Sequence, residues 1–137
     1  MDETGEQKEQ LSFPPEHIEP LRGLLFLGAM KEIFEFAGHE FELKTLNEAD
    51  ILRIGELIRP YMDSPVDMEA QKIYTLAAAL CSVDGELISE PYKEGYDPIA
   101  ENAKTIKQWY PETIDFMYMK YLELEKGARE VAKSLKK

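Results

Sequence analysis

The sequence is poor in the residues that most often carry chemistry: one cysteine, two histidines and one tryptophan in 137 residues. A lone cysteine, Cys81, excludes a disulfide framework and any multi-cysteine zinc site. Its expected setting is a reducing cytosol, as an inert core residue of an apolar helix. The histidines, His17 and His39, have no cysteine or serine partner at a spacing that signals nucleophilic catalysis. The glycines are scattered singly, so no phosphate-cradling loop is visible. Leu24–Met30 is the longest apolar run and is far too short to span a bilayer. No basic-then-apolar leader opens the chain, so no secretory signal is expected. Positive charge is also scarce: 16 Lys and Arg stand against 27 Asp and Glu, a net charge of −11. That balance argues against nucleic acid and anionic membranes as partners and favours a basic one.

What is present is enough apolar residue, 44%, for one domain with a single core. Two alternating runs flank Gly38 between Ile33 and Leu46, which is a β-hairpin pattern. With Gly38-His39 as the central pair of a type II′ turn, Phe36 faces Phe41 and Phe34 faces Leu43. Glu35 and Glu42 then oppose each other on the other, solvent-facing side. The aromatic face needs a cover.

The rest reads as mainly helical. Residues 1–15 are an acidic extension without apolar anchors, expected to be disordered and then extended through Pro14-Pro15. From 16 to 125 we expect a single α+β domain, a hairpin on about four to five helices. Residues 126–137 form a basic end, either continued helix or tail. A short helix ending near Gly28 is favoured before the hairpin, although Leu24–Leu27 also suits a buried strand. Asn47 and Asp50 make a capping box for a helix that Pro60 ends. Ser64, Pro65 and Asp67 predict the start of a second helix running to about Ser82. Its second half is apolar nearly all round, the mark of a central helix, and we expect it beneath the hairpin's aromatic face. Val83-Asp84-Gly85-Glu86 reads as a turn, followed by a short extended piece at Leu87-Ile88. Asp97-Pro98 starts a third helix, with Ile99, Ala103 and Ile106 on one face. Pro111 starts the last, with Ile114, Met117, Tyr118, Tyr121 and Leu122 as its apolar stripe and Gly127 as a weak point.

No catalytic constellation is visible, and no cofactor or metal is expected. Asp84-Gly85-Glu86 fails as a calcium loop, because the first and last ligand positions would be Leu80 and Pro91. The remaining candidate is a protein-binding surface built from Tyr92, Tyr96, Trp109, Tyr110, Met117, Tyr118 and Tyr121, with Met119 beside them. Such a surface suits an apolar or amphipathic helix from a partner. A homo-oligomer stays open.

Three stretches occur in order: Leu25-Phe26-Leu27-Gly28, then Phe36-Ala37-Gly38-His39-Glu40-Phe41-Glu42-Leu43-Lys44-Thr45-Leu46, then Ala77-Ala78-Ala79-Leu80-Cys81-Ser82-Val83-Asp84-Gly85-Glu86. With Trp109-Tyr110-Pro111-Glu112 and Tyr121-Leu122-Glu123-Leu124-Glu125 behind them, the chain resembles the tail assembly chaperones of long-tailed bacteriophages from about Leu24 to Glu125. The resemblance implies a non-enzymatic role in the host cytoplasm: binding the long helical tape measure protein and keeping it soluble until tube subunits assemble around it. It carries over no catalytic residues. The runner-up is a structural tail or baseplate protein retained in the virion.

Overall fold

The computed structural model describes residues 30–91 and 94–134. The expected acidic extension and the segment before the hairpin lie outside the described residues. Among the described residues the order is β1 (Lys31–Phe36), β2 (His39–Lys44), α1 (Glu48–Ile58), a 3-10 turn (Arg59–Tyr61), α2 (Asp67–Ala79), β3 (Leu80–Val83), α3 (Pro98–Ile106) and α4 (Pro111–Ser134). The fold is α+β: a three-stranded antiparallel sheet, ordered β1-β2-β3, set against the helices.

The hairpin is present, but its turn differs from the expected one. Ala37 and Gly38, at φ +54° and +81°, are the central pair, which makes the turn type I′. Phe34 therefore pairs with Phe41, Phe36 with His39, Glu35 with Glu40 and Ile33 with Glu42. The pairing moves by two residues, so the face assignment survives the correction. Direct opposition lets Phe34 stack on Phe41, with centroids 5.8 Å apart. Phe36 meets Phe41 diagonally, edge-on, at 6.3 Å. Glu35 is exposed as expected, whereas Glu42 is half-buried because Ser82 of β3 pairs on its other side.

β3 is the second correction. The apolar helix stops at Ala79, three residues short of the expected end at Ser82, and Leu80–Val83 turns into the sheet. Helical periodicity gave no warning, because the unfilled edge of β2 offers ladder hydrogen bonds that only the tertiary fold supplies. Cys81 consequently lies on a strand, not a helix, at a bulge between the Leu43–Leu80 and Glu42–Ser82 pairs. It is partly exposed, and burial pushes its thiol pKa up. Leu87-Ile88 forms no strand; Glu86 bridges back to Val83 instead.

The helix starts follow the capping signals unevenly. Asn47 caps α1 in a complete capping box with Asp50, and Asp50 also accepts from Lys44 at 2.8 Å, tying α1 to β2. Asp97 caps α3. Ser64 does not cap α2, whose N-cap is Val66 without a side-chain bond. Ser64 Oγ instead donates to the Tyr61 carbonyl at 2.6 Å, closing the reversal that Asp63 makes at φ +63°.

α2 is the central helix, packed against α1, α3 and α4. It does not form the main cover of the hairpin. Phe116 of α4 stacks on Phe36 at 4.6 Å, and Trp109 meets Phe41 edge-on at 6.3 Å. Leu43, Leu76, Ile106 and Met117 are the largest fully buried side chains. Burying each contributes roughly 1.5–3 kcal/mol. Asn102, also buried, donates to the Ala77 carbonyl at 3.0 Å and accepts from Ser89 Oγ at 2.7 Å, so its amide is satisfied. α4 runs unbroken through Gly127 to Ser134, so helix is the outcome for that part of the basic end.

Candidate partner-binding surfaces

The two turns at one end of the sheet are joined side by side. Asp84 and Gly85, at φ +55° and +81°, form a second I′-type turn closed by the Val83–Glu86 bridge. Asp84 reaches across to the first hairpin. Its Oδ2 lies 2.7 Å from His39 Nδ1, and its Oδ1 accepts the Glu40 backbone N–H at 2.8 Å. An ionised carboxylate only accepts, so Nδ1 carries the hydrogen. The Glu40 N–H, and then His39, hold the Asp84 carboxyl below the usual carboxylate range. The Gly-His-Glu and Val-Asp-Gly-Glu motifs singled out in the sequence are thus two halves of one clasp.

Beside the clasp a groove opens between the turns and the α3–α4 corner, with a volume of about 440 Å³. Phe36, Phe41, Val83, Ile88, Trp109 and Tyr110 give it an apolar lining, and Thr105 and Thr113 add hydroxyls. Trp109 is half-buried and Tyr110 is 70% exposed. These two are the expected surface residues that the structure brings together in an open cleft.

The others separate. Met117 and Tyr121 point into the core, at 1% and 5% exposure, and present no surface. Burial, with Glu125 and Tyr118 adding, pushes the Tyr121 phenol up to about 12. Tyr118 is half-buried and stacks on Tyr121 at 6.2 Å, lining a shallow groove between α4 and Ile51 of α1. Tyr96 sits elsewhere, its hydroxyl 2.7 Å from Ser89 Oγ, beside a cavity walled by Cys81 and the Arg53–Asp97 ion pair. Glu56 and then Asp97 push the Arg53 guanidinium pKa up, so both charges there are mutually satisfied. Tyr92 lies outside the described residues.

On the outward side of α4, Met119 was the one residue expected at a binding surface. Phe116, Met119 and Leu122 are 39%, 57% and 42% exposed, spaced i, i+3, i+6. Ile114, Met117, Tyr121 and Leu124 occupy the buried side of the same turns. Over 114–124 the helix is therefore apolar nearly all round with only one side in the core. Spacing shows two apolar rows out of phase but not which of them meets the core, so Leu122, expected in the buried stripe, lies in the exposed row.

Comparison with protein-family models, curated proteins and solved structures finds no match to this chain. Function therefore has to be argued from its residues. Among the described residues no helix is long and apolar enough to cross a membrane. Nor do three or more His, Cys, Asp or Glu side chains converge there as metal ligands would.

Proposed function

We propose that this chain is a tail assembly chaperone of a long-tailed phage that binds the helical tape measure protein and keeps it soluble in the host cytoplasm until the tube assembles. The observation that carries this is the exposed apolar row Phe116, Met119 and Leu122 on a long, rigid helix of an acidic protein. An exposed apolar row along one long helix suits reversible capture of another amphipathic helix. The net charge of −11 keeps the loaded protein dispersed and attracts basic segments. The clasp between the two family-like motifs fits a structural role for them, which leaves α4 as the contact surface.

An assembly chaperone leaves before the particle is complete. Mass spectrometry of purified virions should find this chain absent or in trace amounts. Stoichiometric presence would overturn the proposal in favour of a structural tail or baseplate protein.

A further inference from the structure

We infer that the groove at the α3–α4 corner is a second, separate docking site, and that it takes a large apolar side chain of a partner polypeptide flanked by lysine or arginine. It goes beyond the chaperone role, since it specifies a peptide and not a tape measure protein.

Three observations converge on this occupant. The first is size and lining. A cleft of about 440 Å³ walled by Phe36, Phe41, Val83, Ile88 and Trp109 accommodates a phenylalanine or leucine side chain with its backbone. The second is unused hydrogen-bonding capacity. The Trp109 indole N–H, the Tyr110 hydroxyl and the Thr113 hydroxyl have no partner among the described residues. A peptide backbone supplies carbonyls for such donors, whereas a purely apolar ligand does not.

The third is charge. No lysine or arginine lines the groove. Asp84 stands in its wall bonded to His39 of the same wall, so the uncommitted negative charge at the rim comes from exposed Glu86, which bridges to the wall residue Val83, and exposed Glu112, which precedes the wall residue Thr113. Of the cations near it along the chain, Lys104, beside the wall residue Thr105, pairs with Glu101 at 3.3 Å, and Lys107 is turned away, with its ammonium 5.2 Å from the Tyr74 ring centroid. An entering segment with positive flanks is attracted, and one with negative flanks is repelled.

Trp109 is the only tryptophan in the chain, so its fluorescence reports on this groove alone. The test titrates the full-length protein with a short, tryptophan-free, extended peptide of lysine, phenylalanine and proline, whose backbone carbonyls stay free, and with its glutamate counterpart. The basic peptide is expected to shift Trp109 emission saturably and to bind at least about tenfold more tightly than the acidic one, a ratio worth 1.4 kcal/mol. Tyr110→Ala, and separately Glu86→Lys with Glu112→Lys, should each weaken it about fivefold or more, while Met119→Ser leaves it unchanged. All four positions are exposed, so the variants keep the fold. Equal affinity for both peptides overturns the proposal. So does binding seen by calorimetry that leaves Trp109 unmoved or is abolished by Met119→Ser, because the peptide then sits on α4. The peptides contain no tape measure sequence, so failure here leaves the chaperone role standing, and a virion-retained protein would leave the groove standing.

Discussion

At the scale of single residues, Asp84 ties the two turns at one end of the sheet together. It adopts a left-handed backbone in its own turn and fixes Glu40 and His39 in the neighbouring one. Because its folded pKa is depressed, its contribution to stability is present above the unfolded carboxyl value, about 3.9, and is lost as pH falls through the lower folded value. Asp84→Asn should therefore lower the urea midpoint at neutral pH, and its gap from wild type should close below about pH 4. A gap that stays constant into acid would show that the carboxylate charge does not matter. Two methionines on α4 make the second residue-scale contrast. Met117 is buried, so Met117→Ala should cost about 2–5 kcal/mol in chemical denaturation. Met119 is 57% exposed, so Met119→Ser should stay within about 0.5 kcal/mol of wild type yet weaken capture of the tape measure protein in pull-down. If Met119→Ser unfolds the protein or leaves capture intact, the outward row has been misassigned.

At the scale of elements, the hairpin is the part whose sequence signal was strongest and most nearly right. Its existence, its aromatic face and the partition of that face from Glu35 were legible, because alternation depends only on neighbouring residues. The turn was not. Glycine at position 38 fits either II′ or I′, and the choice falls on I′ because Phe34 then stacks directly on Phe41 and His39 reaches Asp84. Ala37 has to hold φ +54°, a conformation that costs a residue with a Cβ about 1–2 kcal/mol. Asparagine tolerates that region and favours I′ turns, so Ala37→Asn should stabilise the protein by about 1 kcal/mol in thermal or urea unfolding. A loss of stability would contradict the I′ assignment. The same dependence on distant partners explains β3. Leu80–Ser82 looks helical next to an alanine-rich run, and only the open edge of β2 makes it a strand. The buried row of α4 was likewise readable from spacing, but its exposed row was not, since nothing in the spacing says which of two apolar rows meets the core.

At the scale of the whole molecule, composition and structure combine into an acidic α+β domain with apolar surface left over. The core gathers residues from the sheet and all four described helices, including Leu43, Ile54, Leu76, Ile106 and Met117. Met119 and Leu122 of α4 stay largely exposed, and Phe116 keeps an exposed edge while its ring stacks on Phe36. The expected surface dissolved in part because aromatic content alone cannot separate a core tyrosine such as Tyr121 from a cleft residue such as Tyr110. The central claim is that the leftover surface holds the tape measure protein in solution. It is tested most directly by co-expressing the two proteins and measuring the soluble fraction of the tape measure protein with and without this chain. The chaperone role predicts that the soluble fraction rises, that the two co-purify, and that Met119→Ser with Leu122→Ser removes both effects. A soluble fraction no higher in the presence of this chain would contradict it.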